Sequence, residues 1–227
     1  MGGPKTSRRR TDASPPAGTD LAAVHAAIAE YYTAKVRKFG ASPPGADWTC
    51  VPTQEMRFVQ LLKLCDFTAP FSLNDVGCGY GALLSYLDWR HGDCAVDYLG
   101  LDLSQAMLRQ ARRLWRDRPN VAFAQGGASP RVADYSVASG IFNVQQDQPL
   151  GLWETFVAAT LDHLHRTSSR GFAVNFMKRS SPQGKTREGL YCTEPERWTN
   201  YCADKFGARS EVIEDYGLRE FTMLVRR

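Results

Sequence analysis

Apolar side chains recur at helical spacing from Leu21 through Val24, Ile28 and Tyr31/Tyr32 to Val36, and the pattern stops near Gly40, ahead of a Ser42-Pro43-Pro44-Gly45 linker. A second helix is expected after Trp48, because Phe58, Leu61, Leu62 and Cys65 fall at i, i+3, i+4 and i+7 on one face. From residue 71 the period changes. Short apolar runs alternate with amphipathic stretches, the mark of βαβ units and a parallel sheet. Strands are expected near 72–76, 96–102, 121–125, 134–140, 171–178, 209–214 and 219–226, with helices near 81–90, 104–116, 153–166 and 194–206. Ser104 suits an N-cap and Gly207 a C-terminal stop. Only Tyr216-Gly217-Leu218 separates the last two strands, too little for a helical crossover, so an antiparallel hairpin is expected there.

A chain of 227 residues with 43% hydrophobic and 23% charged side chains can bury one sizeable core. No run approaches the ~20 apolar residues of a spanning helix, which argues against a membrane partner. Residues 1–20 are rich in Gly, Pro, Ser, Thr and Arg and are expected to be a flexible basic tail. Half of the net charge of +4 sits in that tail, so the rest lacks the concentrated positive face of a nucleic-acid binder. Six scattered cysteines, without C-x-x-C or paired histidine spacing, suggest reduced thiols, no metal site and a cytoplasmic setting.

The first strand runs into Asp75-Val76-Gly77-Cys78-Gly79-Tyr80-Gly81-Ala82-Leu83, directly before an apolar helix. Glycines at alternate positions let the backbone turn sharply and approach a ligand, and the helix N-terminus behind them offers unpaired N–H groups. Asp102 closes the second strand, where an acidic side chain in such sheets accepts from ribose hydroxyls. Two cofactor types fit. Gly77-x-Gly79-x-x-Ala82 can be read as a dinucleotide fingerprint, but a hydride-transfer enzyme normally needs more chain to hold its substrate, and Asp75 and Gly81 point elsewhere.

Asp75-x-Gly77-x-Gly79-x-Gly81, Asp102 and the terminal hairpin together resemble the class I S-adenosylmethionine-dependent methyltransferases, over roughly residues 71–227. The resemblance implies an α/β, Rossmann-like, seven-stranded and mostly parallel sheet with a C-terminal antiparallel β-hairpin and helices on both faces. It also implies S-adenosylmethionine as cofactor and S-adenosylhomocysteine as product. The loop Gly77–Gly81 would pack against the methionine moiety and ribose, Asp102 would bind the ribose, and Leu103 and Met107 would flank the adenine. Where many members carry an acid for the adenine amino group, this chain has Gln125-Gly126-Gly127-Ala128; Gly127 and Ala128 are assigned to the cofactor, with Gln125 or a backbone carbonyl as the acceptor.

The carboxyl end of strand four should open onto the transferring methyl group, which makes Ser139 a cofactor candidate and Phe142 and Asn143 candidates for the acceptor side. No Asn/Asp-Pro-Pro-Tyr and no cysteine nucleophile stand there. Residues 21–70 are expected to form an N-terminal helical cap over the methyltransferase domain at 71–227. Tyr31, Tyr32 and Trp48 would line the acceptor site from that cap, with Tyr32 and Asn143 nearest the reacting atoms and Arg57 either pairing with the cofactor carboxylate or forming a salt bridge. His163 and His165 are expected on a solvated face, His91 at a helix end, and His25 where it could face the cleft. The expected activity is methyl transfer to an O or N atom of a small molecule. The alternatives are a non-catalytic cofactor-binding partner subunit, an NAD-dependent enzyme, or an RNA or protein methyltransferase.

Overall fold

In the computed structural model, which describes residues 21–179 and 188–227, these periodicities resolve into α1 (Ala22–Phe39), α2 (Val51–Leu61), β1 (Phe71–Val76), α3 (Ala82–His91), β2 (Val96–Asp102), α4 (Gln105–Leu114), β3 (Val121–Gln125), β4 (Ala133–Ala138), α5 (Leu150–Arg166), β5 (Ser168–Lys178), β6 (Cys192–Thr193), α6 (Pro195–Phe206), β7 (Ser210–Ile213) and β8 (Glu220–Arg226). The expected tail over 1–20 lies outside the described residues. Ser104 caps α4 by accepting from the Met107 N–H at 3.3 Å, and Gly207 ends α6 in the left-handed region at φ 63°.

The sheet order is β3-β2-β1-β4-β5-β8-β7. Neighbours from β3 through β5 are parallel, while β8 runs antiparallel to both β5 and β7. An eighth strand, the two-residue β6, pairs with β5 off this path; two residues leave no alternation to read, so the seven-strand expectation missed it. From β1 the chain winds outward to β2 and β3, then returns to β4 on the other side of β1. Ligands in such sheets bind outside the carboxyl ends of the strands where the winding reverses, here β1 and β4.

Both faces of the sheet are covered, which is why its central strands are nearly continuous apolar runs. Along β5, Phe172, Val174 and Phe176 join a core with Trp153, Phe156 and Leu161 of α5, whereas Ala173 faces a second core with Phe58 of α2 and Leu83 and Leu87 of α3. Phe58, Leu61, Leu62 and Leu64 are all buried in that second core, so the 51–65 half of the expected cap is built into the body of the fold. The 21–50 half is anchored as well: Val24 is fully buried in the first core, with Leu21 and Ile28 packed against it. Val36 of α1 meets Ala106 and Met107 of α4, and the hydroxyls of Thr33 and Ser104 lie 2.7 Å apart.

Some local expectations change. The Ser42–Gly45 linker is a 3₁₀ turn over Pro43–Ala46, followed by Asp47 in the left-handed region at φ 63°. Asp47 accepts from the Tyr31 hydroxyl at 2.7 Å and pairs with Lys35 at 2.5 Å, which ties the loop back to α1. His163 is half-buried rather than on an open face: its Nε2 accepts from the Ser129 N–H at 2.6 Å. His165 stacks on Phe206 and His91 on Phe67, while His25 packs edge-on against Phe156.

Candidate active site

Gly77, Gly79 and Gly81 all take positive φ, at 79°, 58° and 82°, so the loop after β1 adopts a path closed to β-branched residues. The N–H groups of Gly77 and Cys78 both donate to the Leu101 carbonyl, at 2.7 and 2.9 Å, and dock the loop on the end of β2. A Cβ at Gly77 would collide with the Ile141 side chain, and one at Gly81 would lie 2.6 Å from Trp115 Nε1. That indole donates to the Tyr80 carbonyl at 3.2 Å, and the Tyr80 hydroxyl donates to Gln54 Oε1 at 3.2 Å. Thus Gln54 of α2 and Trp115, which caps the end of α4, both hold the loop through Tyr80.

Asp102 sits beside this loop. Its two carboxylate oxygens accept from the Gly79 N–H at 2.9 Å and the Ser104 N–H at 2.7 Å, leaving further lone pairs for a ligand. Burial pushes its pKa up to about 6, against the pull of those two backbone donors. Asp75 accepts from the Tyr98 hydroxyl at 2.6 Å, and burial, together with the nearby Asp102 charge, pushes it up to about 7. Two carboxylates with raised pKa values on one cleft mark a candidate functional site.

A pocket opens over this edge. The loop, Asp75 and Asp102 form its floor, Leu103, Met107 and Gly127 one side, and Ile28, Tyr32 and Trp48 its roof. Ser139 is on its wall, and the Ser139 Oγ is buried with no hydrogen-bond partner among the described residues. Tyr32, Ala46 and Trp48 also line a wider outer chamber, together with Tyr31, Lys35 and Asn143. The Asn143 Oδ1 is likewise buried and unpartnered.

Four residues assigned from sequence fall elsewhere. The Arg57 fork is taken up by Glu220, through Nε at 2.9 Å and Nη2 at 2.5 Å, so it is not aimed at a cofactor carboxylate. Phe142 is fully buried and stacks on Phe176 at 4.9 Å, in the core rather than the acceptor site. Ala128 is exposed and outside the pocket wall, and Gly81 acts behind the loop against Trp115. Gln125 is engaged locally, accepting from Gln105 Nε2 and donating to the Leu103 carbonyl. Sequence reasoning missed Ile28, Ile141 and Thr160 on the pocket wall, and Gly100, where a Cβ would lie 2.9 Å from Cys78 Sγ. A glycine inside an otherwise apolar strand was the available signal for the last.

Winding order, glycine loop and strand-end acid together define a nucleoside-binding α/β enzyme. Residues 74–171 match the family model described as a methyltransferase domain. Over 166 residues the chain is 42% identical to "Putative methyltransferase Rv1506c" of Mycobacterium tuberculosis, covering 73% of this chain and 99% of that protein. The chain belongs to the class I S-adenosylmethionine-dependent methyltransferases. Among solved structures, N-methyltransferase NodS from Bradyrhizobium japonicum with bound S-adenosylhomocysteine superposes with TM-score 0.63 at 12% identity, covering 88% of this chain and 98% of that one. Magnesium protoporphyrin IX methyltransferase from Synechocystis gives 0.60 at 13% identity, with 92% and 100% covered. At such identities these two likenesses concern the fold alone. No helix among the described residues is long and apolar enough to cross a membrane.

Proposed function

We propose that the inner pocket holds S-adenosylmethionine and that its methyl group passes to an O or N atom of a small-molecule acceptor in the outer chamber. One observation carries the reading: two adjoining chambers share Tyr32, Ala46 and Trp48 as a common wall above the β1 and β4 ends. The inner one suits the cofactor. Asp102 offers acceptor lone pairs to ribose hydroxyls, Leu103 and Met107 offer apolar surface to the adenine, and the buried Ser139 Oγ lacks a partner that a polar cofactor group would supply.

The bound cofactor supplies an already activated sulfonium methyl. The chain then has mainly to orient an acceptor in line and keep water out. Tyr32 and Asn143 are suited to that as neutral hydrogen-bonding groups. Burial, Asp47, Tyr31 and Asp102 all push the Tyr32 phenol far up, so it does not serve as a phenolate base. No histidine lines either chamber among the described residues, and Asp47 and Glu220 are held in ion pairs. Glu188 also lines the outer chamber, so an acceptor proton passes to that carboxylate or to solvent.

The test is calorimetry with S-adenosylmethionine and S-adenosylhomocysteine, followed by a methyl-transfer assay on a metabolite library with product masses. Binding of both and a product heavier by one methyl group support the reading. Binding of NAD instead, or binding without turnover on any acceptor, overturns it. Turnover confined to RNA or protein would move the acceptor assignment, and steep salt dependence would distinguish RNA.

A further inference from the structure

We infer that Arg57, Glu220, Asn175, Gly140 and Trp48 form a closed positioning circuit that sets the wall between the two chambers; the inference rests on the two-chamber reading above. The Arg57 Nε and Nη2 grip both Glu220 oxygens, at 2.9 and 2.5 Å, while Nη1 donates to the Thr53 carbonyl at 2.5 Å. Asn175 Nδ2 donates to the same Glu220 at 2.5 Å, and its Oδ1 accepts from the Gly140 N–H at 2.7 Å. Gly140, at φ 72°, has no room for a Cβ because the Trp48 ring lies against it. The Arg57 guanidinium stacks over that same indole, 3.9 Å from the ring centroid, and closes the circuit.

Arg57, Glu220 and Asn175 are 7%, 4% and 0% exposed, so the polar part of the circuit is largely dry, with Arg57 and Glu220 at the edge of the outer chamber. Desolvation offsets much of what a buried ion pair contributes to stability. Its bidentate geometry, however, admits one arrangement, and here that arrangement is transmitted in two directions. Through Asn175 it fixes the peptide plane at Gly140, between Ser139 on the inner pocket and Asn143 on the outer chamber. Through the guanidinium face it fixes Trp48, which lines both. Four stretches far apart in sequence, around residues 48–57, 140, 175 and 220, thus meet where donor and acceptor would be aligned. Arg57 is a positioning residue here, not a cofactor ligand.

The experiment compares wild type with Glu220→Gln, Arg57→Lys and Trp48→Phe. It measures S-adenosylhomocysteine affinity by calorimetry, amide hydrogen exchange by segment, and acrylamide quenching of the Trp48 fluorescence, isolated by subtracting the Trp48→Phe signal. Glu220→Gln never touches Trp48 directly. It is nevertheless expected to raise exchange over 138–144 at least tenfold and to expose Trp48 to quencher, with exchange in β1–β3 unchanged and affinity within about threefold. Arg57→Lys, which keeps the charge and loses the fork and the stack, should do the same. Unchanged exchange and quenching, or loosening spread through the whole sheet, overturns the circuit. Should the two buried variants fail to fold, Trp48→Phe at the half-buried end decides by itself: faster exchange over 138–144 supports the circuit and an unchanged rate refutes it. Failure of wild type to bind S-adenosylhomocysteine would count against the two-chamber reading, not against the circuit.

Discussion

Asp102 acts through the lone pairs that its backbone neighbours leave free. The Gly79 and Ser104 N–H groups hold the carboxylate in place before any ligand arrives, so little ordering cost remains when ribose hydroxyls donate to it. Replacing Asp102 by Ala should weaken S-adenosylhomocysteine binding by about 1.5–3 kcal/mol, the range for a hydrogen bond to a charged group, with the fold retained. Calorimetry giving wild-type affinity in a folded variant would remove the ribose assignment. The same carboxyl, pushed up to about 6, sets a pH dependence. Ligand donors favour the ionised form, so affinity should be level above pH 6 and fall as the pH drops through it. Titrating the dissociation constant from pH 8 to 5 checks this, and Asp102→Ala should lose that inflection.

At the level of elements, the glycine loop and the N-terminal segment make separate demands. Gly81 lies behind the loop, at φ 82°, with Trp115 Nε1 only 2.6 Å from where a Cβ would stand. Both strain and crowding oppose a side chain there. Gly81→Ala should cost more than about 1 kcal/mol, read as a lower melting temperature even without ligand. The segment before β1 divides by function. Leu61 is 1% exposed in the core shared with α3, so Leu61→Ala should cost about 2–5 kcal/mol and leave turnover per folded molecule unchanged. Tyr32 and Trp48 line both chambers without being fully buried, so Tyr32→Ala and Trp48→Ala should lower turnover more than stability. Melting temperature and turnover measured side by side separate the two halves; a large stability loss with unchanged turnover at Trp48 would refute its place in the acceptor wall.

For the molecule as a whole, the site carries a stability cost that depends on pH. Asp75 and Asp102 bind protons more tightly folded than unfolded, so their contribution is fully present below about pH 4 and is lost as the pH rises through about 6 to 7. The four histidines, lowered by burial, act with the opposite sign near their usual pKa, so a difference measurement is needed. Relative to wild type, Asp75→Asn should gain stability steadily from pH 4 to 7, seen in urea midpoints across that range; a constant difference would mean that Asp75 is not proton-linked to folding. Sequence by itself determined the alternation of strands and helices, the terminal hairpin, the glycine loop and Asp102, because each is written in local periodicity or in adjacent residues with one backbone requirement. Tertiary structure alone decided the partners of Arg57 and the burial of Phe142. A guanidinium within reach of a cofactor carboxylate and one gripped by Glu220 look the same along the chain, since the two residues are 163 positions apart. Which face of the turn after β4 meets the core likewise depends on Asn175 and Trp48, brought to it by strands and loops whose packing no local pattern encodes.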